Sequence, residues 1–198
     1  MGRLSREKNV ELLINSFNEF NKNNNYTLTI IGDGELQFDK KYDNIDFTGR
    51  LSSNEIKKYL LECDYLILPS YTEGLPFAII EAMNLGIPCI FSNINGAKEI
   101  ISNNNTGFLF DLCNYHKVSN CILQKTKTDL SGWDTLFQKV DRFKNSHKKN
   151  LISCLRKAYS IPIEDWNSMS VKCLEYINTR FNREVLITKN LFNLQHNP

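Results

Sequence analysis

The 198-residue sequence has no uninterrupted apolar run of about 18 residues, the length that a membrane-spanning helix needs. It also has no amino-terminal signal-peptide pattern. The net charge is only +2, from 24 basic and 22 acidic side chains. This near-neutral charge gives the protein no overall electrostatic attraction to nucleic acid or to an anionic membrane, so a local site must hold any anionic ligand. We therefore expect a cytoplasmic protein with no transmembrane segment and no nucleic-acid partner; peripheral contact with the inner membrane face stays open.

Patterns for metals and disulfides are scarce as well. The six cysteines form no C-x-x-C pair, and three of them lie in apolar runs, which favours reduced structural thiols over a disulfide or a metal role. The histidines, His116, His147 and His196, show no metal or triad spacing, and we expect all three at the surface. There is no D-x-D motif, and Asp33-Gly34-Glu35 is the nearest approach to one. We expect no cofactor and no metal.

Short strands and helices alternate over the first 125 residues or so. Helices are predicted at residues 10–20, 52–62, 76–85 and 97–101, and strands at 26–31, 45–48, 65–68, 88–91 and 107–110. This alternation with short links favours βαβ units. We therefore predict an α/β fold, a Rossmann-like parallel sheet flanked by helices, over residues 1–125.

Strand signals stop near residue 125, and a helical extension is predicted over residues 126–198. Its helices are expected at residues 133–148, 151–159, 164–180 and 183–194. The other end of the chain is unusual for the predicted fold. A parallel α/β domain normally opens with a strand that leads into its Gly-rich turn, whereas this sequence opens on Gly2-Arg3-Leu4. We expect the first strand to be missing, and its neighbours to be left with unpaired backbone groups.

Glu81 is the only ionisable residue between Gly74 and Ile90. The helix around it is apolar on nearly all sides, which indicates burial. A buried carboxylate needs hydrogen-bond donors, and two ribose hydroxyls would serve. The alternative is that Glu81 and Asn84 form a narrow wet stripe on the helix.

Glu73 lies in the loop from Ser70 to Pro76, which joins a buried strand to the start of a helix. Ligands of open α/β sheets bind at such carboxyl ends of strands, and helix starts attract anions. Gly74 would let backbone come close to a ligand. Glu73 would then contact sugar hydroxyls or positive charge at a sugar carbon; the alternative is helix N-capping.

Arg3 and Lys8 frame the loop that enters the first helix. An arginine can grip a phosphate with two hydrogen bonds, and a lysine adds a point charge. Without a metal, a diphosphate would depend on these side chains and on helix N-termini. The alternative is that both are ordinary surface residues.

These segments together resemble the carboxyl-terminal domain of family-4 retaining glycosyltransferases, which have the glycosyltransferase-B fold. Gly2-Arg3-Leu4-Ser5-Arg6-Glu7-Lys8 resembles that family's G-R-L-x-x-x-K loop, and Ile31-Gly32-Asp33-Gly34 its G-x-G turn. Phe47-Thr48-Gly49 resembles F-x-G, and the stretch from Pro69 to Met83 resembles P-S-x-x-E-G-x-P…E-A-M. A helix and strand like the family's follow at residues 95–101 and 106–109. The resemblance covers roughly residues 2–110.

The resemblance implies a nucleotide-diphosphate sugar as donor and transfer to an acceptor hydroxyl with retention, without a divalent metal. It implies donor-binding residues in several loops: Arg3 and Lys8 at the diphosphate, Gly34 in the turn, Gly49, Arg50 and Leu51 at the base, Glu73 at the sugar as the catalytic residue, Gly74, Leu75 and Pro76 at sugar or phosphate, and Glu81 at the ribose. The family's role suggests polysaccharide or glycoconjugate biosynthesis.

The resemblance also implies what else the reaction needs. The acceptor is expected to be a glycan or a lipid-linked sugar, bound by a missing N-terminal acceptor domain supplied in cis or in trans. Residues 126–160 look like an insertion, and Phe181-Asn182-Arg183-Glu184 resembles F-x-W-E with arginine in place of tryptophan. Two alternatives are kept: a truncated, non-catalytic sugar-nucleotide-binding module, and a sugar-nucleotide epimerase of the same fold.

Overall fold

The structure is a computed structural model of the chain, and it describes residues 1–38, 42–94, 96–112, 137 and 141–181. Strands and helices alternate through most of these ranges. The strands are β1 (Leu28–Ile31), β2 (Ile45–Gly49), β3 (Leu66–Leu68), β4 (Cys89–Ser92) and β5 (Gly107–Phe110). The helices are α1 (Val10–Phe20), α2 (Ser53–Glu62), α3 (Phe77–Met83), α4 (Ala97–Ile100), α5 (Lys144–Ala158) and α6 (Ile163–Arg180). The predicted α/β alternation is confirmed.

The helix ends follow local chemistry that the sequence shows. Ser52 caps α2, where its hydroxyl accepts a hydrogen bond from the Glu55 N–H while the Glu55 carboxylate accepts one from the Ser52 N–H at 2.8 Å. This is the reciprocal capping box that a serine followed by a glutamate three residues later predicts. Pro76 precedes the first turn of α3, and Gly86 follows its end with a φ of +76°.

Strand β1 begins at Leu28, two residues later than predicted. The side chain of Asn21 donates to the Tyr26 carbonyl at 2.8 Å and accepts from the Tyr26 N–H at 3.0 Å. Both backbone groups of Tyr26 are therefore used locally instead of in a strand ladder. The Tyr26 ring packs on Phe20 and Tyr159 at one end of the core.

The strands form two parallel sheets instead of the single sheet predicted. One sheet has the order β1-β2 and the other β3-β4-β5. The edges of β1 and β3 line the same cavity, so the sheets are separated between these two strands. This is where a doubly wound sheet of strand order 3-2-1-4-5-6 has its first strand. That the first strand is missing stays a prediction.

Helix α5 corrects the prediction of two helices over residues 133–148 and 151–159. One helix runs through the expected break, because His147, Leu151 and Leu155 repeat every four residues on one buried face. The face packs on α1 and on β5. The second half of the 126–160 region is therefore part of the core. The limits of the insertion and of the two domains stay predictions, since residues 113–136 lie outside the described residues.

His147 is buried, so the prediction that it lies at the surface is wrong. Its ring meets the edge of Tyr71 at 6.2 Å between ring centres. The apolar face of α5 places it there. His116 and His196 lie outside the described residues.

The cysteines in the described part of the chain are free thiols. Burial raises the pKa of Cys154 and of Cys173 to about 12, which keeps both groups protonated. The prediction of reduced structural thiols is confirmed for these two and for Cys63 and Cys89; Cys113 and Cys121 lie outside the described residues.

Helix α6 begins at Ile163, directly after Pro162, and packs against α3. The helix predicted over residues 183–194 lies outside the described residues. Among the described helices, none is both long and apolar enough to cross a membrane.

Candidate functional site

The loop of residues 2–8 lies along the carboxyl ends of the strands and is hydrogen-bonded to the loop that follows β1. The Gly2 N–H donates to the Ile31 carbonyl at 2.9 Å, and the Leu4 N–H donates to the Asp33 carbonyl at 2.8 Å. The Leu36 N–H donates back to the Leu4 carbonyl at 3.0 Å. Three backbone bonds therefore fix the first half of this loop on the β1 side.

The second half of the loop is bonded to the other sheet. The Tyr71 N–H, just after β3, donates to the Glu7 carbonyl at 2.8 Å. At the far side, the Gly32 N–H donates to the Gly49 carbonyl at 2.8 Å and connects the ends of β1 and β2. We call residues 2–8, 32–36 and 69–76 together the edge belt. It crosses the carboxyl edge of both sheets and joins them there.

Lys8 and Glu73 form the main charged contact of the edge belt. The Lys8 Nζ lies 2.7 Å from both Glu73 Oε1 and Glu73 Oε2. The side chain of Glu73 is only 9% exposed and that of Lys8 30%. The Ser70 hydroxyl also donates to Glu73 Oε1, at 2.5 Å. Glu73 is thus held on both oxygens, and the N-capping alternative is wrong because Pro76 occupies the N-cap of α3.

Two serines that we did not single out in the sequence hold Glu73 in place. Ser92, at the end of β4, donates its hydroxyl hydrogen bond to the Ser70 carbonyl, and both serines are buried. Ser92 thus bonds to the backbone of Ser70, and the hydroxyl of Ser70 bonds to Glu73. The sequence contains a signal for both, because Ser92 ends the apolar strand β4 and Ser70 lies two residues beyond β3, at the carboxyl edge of a parallel sheet.

Arg3 lies at the outer side of the edge belt. Its side chain is 72% exposed, and its guanidinium is 4.0 Å from the Glu35 carboxylate. An exposed pair at this distance contributes little stability. A hydrogen bond from Ser5, together with the charges of Arg3 and Lys8, lowers the pKa of Glu7 below its usual value. Arg3 and Lys8 therefore both lie close enough to Glu7 to act on its carboxylate.

Two glycines of the predicted site have different physical reasons to be glycine. A Cβ on Gly34 would lie 2.3 Å from the Leu4 carbonyl oxygen, so Gly34 allows two backbone segments of the belt to pack together. A Cβ on Gly74 would meet nothing within 4 Å, and Gly74 has no positive φ. The fold requires glycine at position 34 but not at position 74.

Glu81 is exposed, so the expectation that it is a buried carboxylate is wrong. The buried residues of α3 are Ile79, Ala82 and Met83, whereas Phe77 is 69% exposed and shares the outward face with Glu81. Helix α3 therefore has more apolar residues than the core buries. Within the described residues, no contact joins Glu81 to Arg3, Lys8 or Glu73.

The remaining predicted residues lie around the belt. Gly49, the last residue of β2, has a φ of +68°; the two residues after it are Arg50, which is exposed, and Leu51, which is half-buried. In the loop before α3, Gly74 and Leu75 are exposed and Pro76 is buried. In the part of the chain that the structure describes, no three His, Cys, Asp or Glu side chains come together as a metal site. The expectation of a metal-free reaction stays a prediction.

Comparison with known proteins shows which family the chain belongs to. The sequence profile of the family described as "Glycosyl transferases group 1" matches residues 1–129, which is more than half of the chain. The chain belongs to this glycosyltransferase family. An Escherichia coli relative, named UDP-Gal:alpha-D-GlcNAc-diphosphoundecaprenol alpha-1,3-galactosyltransferase, is 35% identical over 136 residues. That match covers 64% of this chain and 35% of the relative.

Solved structures agree on the fold. The carboxyl-terminal domain of a group 1 glycosyltransferase, LpcC of Francisella tularensis, superposes with a TM-score of 0.61 at 17% identity, covering 92% of this chain and 84% of that domain. A point mutant of TarM from S. aureus, in complex with UDP and two other ligands, gives a TM-score of 0.67 at 20% identity. That match covers 99% of this chain and 35% of TarM. The predicted glycosyltransferase-B fold, in its carboxyl-terminal half, is confirmed.

The group 1 relatives include enzymes of polysaccharide and glycoconjugate biosynthesis, as the resemblance suggested. The chain spans between a fifth and about a third of the length of the first curated relatives that it matches.

The two glycines of the belt give a matched pair of substitutions. Gly34→Ala should lower the free energy of unfolding by about 1–3 kcal/mol, because its Cβ meets backbone that has no rotamer to adopt. Gly74→Ala should change it by less than about 0.5 kcal/mol, since its Cβ has open space. Urea unfolding followed by circular dichroism measures both. Equal losses in the two variants would show that the contacts assigned to Gly34 are wrong.

The Lys8–Glu73 pair can be tested by a double-mutant cycle. Lys8→Met should cost about 1–3 kcal/mol of stability, because it leaves the largely buried Glu73 carboxylate without its cation. Glu73→Gln should cost less, since the amide oxygen still accepts from Ser70 and Lys8 reaches solvent. The double variant should recover part of the Lys8→Met loss, so the coupling should exceed about 0.5 kcal/mol in urea unfolding. Simple additivity would contradict the contact.

Proposed function

We propose that this chain binds the nucleotide-diphosphate sugar donor of a retaining glycosyltransferase at the edge belt. The observation that carries the proposal is the pairing of Lys8 with Glu73 at the carboxyl ends of the strands, with Arg3 on the same loop. Ligands of open α/β sheets bind at that edge. Two cations, Arg3 and Lys8, thus lie near the fixed carboxylate of Glu73. This arrangement suits a ligand that has a diphosphate at one end and a sugar at the other.

The diphosphate would be held by Arg3 and Lys8. A lysine ammonium has three donors, and Glu73 uses two of those of Lys8, which leaves one for a phosphate oxygen. Arg3 is exposed and only loosely paired, so its guanidinium can turn towards the ligand and bind it with two hydrogen bonds. Both cations would neutralise charge on the leaving diphosphate as its bond to the sugar breaks. On this account the reaction uses no metal and no other cofactor.

Glu73 would act on the sugar. Ser70 and Ser92 hold its carboxylate in one orientation, so it is pre-organised for a ligand that lies over the belt. The loop backbone of Gly74, Leu75 and Pro76 follows directly and offers further donors and acceptors. A fixed negative charge here favours the positive charge that develops at the anomeric carbon in the transition state.

The transfer keeps the anomeric configuration. The bond between the anomeric carbon and the diphosphate oxygen breaks, and a bond from that carbon to the acceptor oxygen forms on the same face. The hydroxyl proton of the acceptor passes to the departing diphosphate oxygen. In this step the chain's own residues bind and orient the donor and stabilise charge.

The nucleoside would lie beyond the diphosphate. Glu81 is exposed on α3, so its two carboxylate oxygens can accept hydrogen bonds from both ribose hydroxyls. Gly49, Arg50 and Leu51 would line the base pocket, and Gly34 would shape the turn next to it. Because Glu81 is exposed, burial gives no support to a role in binding the ribose. That role is supported by the family resemblance alone.

Uridine donors are the first class to test. The name of the E. coli relative contains UDP-Gal, and the TarM structure contains UDP. The same name contains a diphosphoundecaprenol-linked sugar, which supports a lipid-linked sugar or another glycan as acceptor. Because the chain spans about a third of that relative, we propose that a separate acceptor-binding domain completes the enzyme, in cis or in trans.

A non-catalytic sugar-nucleotide-binding module is the alternative. It predicts donor binding without transfer even when an acceptor domain is supplied. The epimerase alternative has less support, because the family and its named relatives are glycosyltransferases.

Calorimetric titration of the 198-residue chain with UDP tests the proposed site. Arg3→Ala should weaken UDP binding by about 1.5–3 kcal/mol, or roughly 10- to 150-fold in Kd, because a charged hydrogen-bond donor to phosphate is lost. GDP and ADP in parallel titrations report the preference for the base.

Arg156→Ala is the matched control. Arg156 is an exposed arginine in the last turn of α5, at the end of the core away from the edge belt. It should leave the Kd unchanged. Equal binding by the Arg3→Ala variant and the unmodified chain would remove Arg3 from the site.

A further inference from the structure

Arg6 attaches the loop of residues 2–8 to the segment that leads into α5. Its guanidinium donates to the Asp141 carboxylate at 3.1 Å, and the guanidinium carbon lies 5.0 Å from the ring centre of Phe137. Phe137 is buried, and Asp141 lies three residues before the start of α5. The loop that carries Arg3 and Lys8 is therefore bonded to this segment as well as to both sheets.

The Asp141 carboxylate also contacts a second cation. Lys144, the first residue of α5, places its Nζ 3.6 Å from Asp141 and 3.7 Å from the Glu11 carboxylate on α1. The side chain of Asp141 is 28% exposed, whereas that of Arg6 is 47% exposed. A single exposed ion pair contributes little, but several charges in a network can hold a geometry. Asp141 is thus held between the loop and the ends of two helices.

Arg6 and Lys8 are the first and last residues of one short helical turn, Arg6–Lys8. A turn of this length is not stable by itself, so its contacts with the rest of the protein determine its position. The Glu7 carbonyl accepts from the Tyr71 N–H at 2.8 Å, and the Lys8 ammonium bonds to Glu73. Both of these contacts go to the loop after β3, and Arg6 adds the contact to the segment before α5.

Tyr71 connects the two sets of contacts. Its N–H bonds to Glu7, while its ring centre lies 5.7 Å from that of Phe137. Burial raises the pKa of Tyr71, the charge of Asp141 raises it further, and the charge of Arg6 lowers it, so the ion pair lies close to this side chain. A shift of Asp141 would therefore displace Arg6 beside Tyr71, next to the bond that fixes Glu7.

We infer that Asp141 is a positioning residue of the donor site: through Arg6 it fixes the turn that places the Lys8 ammonium at the diphosphate. This inference rests on the proposed function of the edge belt. Asp141 lies beyond residues 1–129, which match the family profile, so the family resemblance assigns it no role. Asp141 also engages the Arg6 guanidinium, which leaves Arg3 and Lys8 as the cations of this loop that bind phosphate.

The substitution Asp141→Asn tests the inference by calorimetric titration with UDP. It removes a negative charge beside the proposed anion site, so charge alone would strengthen binding of the diphosphate. Positioning predicts the opposite, a rise of about three- to tenfold in Kd, because Lys8 loses its fixed place. Tighter binding by the Asp141→Asn variant would overturn the inference, since it would show that a released Arg6 binds phosphate.

Two further variants show whether the effect passes through Lys8. In a Lys8→Met background, Asp141→Asn should weaken UDP binding no further, because the group that it positions is gone. Asp141→Glu keeps the carboxylate and should hold the Kd within about twofold of the unmodified value. An equal loss with and without Lys8 would contradict the proposed route.

Glu19→Gln is the matched control. The Glu19 carboxylate lies 2.6 Å from the Lys148 Nζ, in an ion pair that joins α1 to α5 and does not include the loop of residues 2–8. This substitution changes the net charge by the same amount, and it should leave the Kd for UDP within about twofold. Equal weakening by Glu19→Gln and Asp141→Asn would overturn the inference, because helix packing would then be the cause.

Amide hydrogen exchange of the ligand-free chain separates this inference from the proposed function. Asp141→Asn should speed exchange of the Tyr71 N–H at least about fivefold, because its acceptor on Glu7 moves with the turn, whereas Glu19→Gln should not. If the unmodified chain fails to bind UDP but Tyr71 responds in this way, the proposed function is wrong and the positioning of the turn by Asp141 is supported. If UDP binds and Asp141→Asn changes neither the Kd nor the Tyr71 exchange rate, the inference is wrong.

Discussion

The structure depends on the backbone hydrogen bonds that the loop of residues 2–8 makes to both sheets. Gly2 and Leu4 bind the end of β1, and Glu7 accepts from Tyr71 at the end of β3. These bonds hold the two sheets together at their carboxyl edge, whereas a cavity lies between β1 and β3. The loop that joins the sheets is also the loop that carries Arg3 and Lys8. Fold and candidate site are therefore linked by the same short segment.

Charge balance follows from this arrangement. The Lys8 side chain bonds to Glu73, which follows β3. The Ser70 hydroxyl also bonds to Glu73, and Ser92 at the end of β4 bonds to the Ser70 carbonyl. A carboxylate so little exposed needs both a cation and hydrogen-bond donors, and the belt provides them. Within the described residues Glu73 takes two of the three donors of Lys8, and Arg3 is exposed, so the proposed site would accept an anion without first losing its internal contacts.

Sequence reasoning predicted the fold well, since its strongest signals are local. The capping box at Ser52 and the apolar run before Pro69 each identify an element from a few adjacent residues. The family resemblance also placed Lys8 and Glu73 in one site. Sequence reasoning failed where contacts between residues that are far apart in the sequence determine whether a side chain is buried. Nothing near His147 in sequence shows that Tyr71 packs on it, and nothing near Glu81 shows that the described residues leave its face of α3 exposed. Tyr26 lies outside β1 because the side chain of Asn21, five residues earlier, bonds to both of its backbone groups.

The central claim is that the edge belt binds the diphosphate of a nucleotide sugar. A crystal structure of the chain with UDP tests it most directly. We expect the diphosphate to lie within hydrogen-bond distance, about 3 Å, of the Arg3 guanidinium and of the Lys8 ammonium, with Glu73 still bonded to Ser70. A diphosphate bound elsewhere on the chain, with neither cation in contact, would contradict the claim.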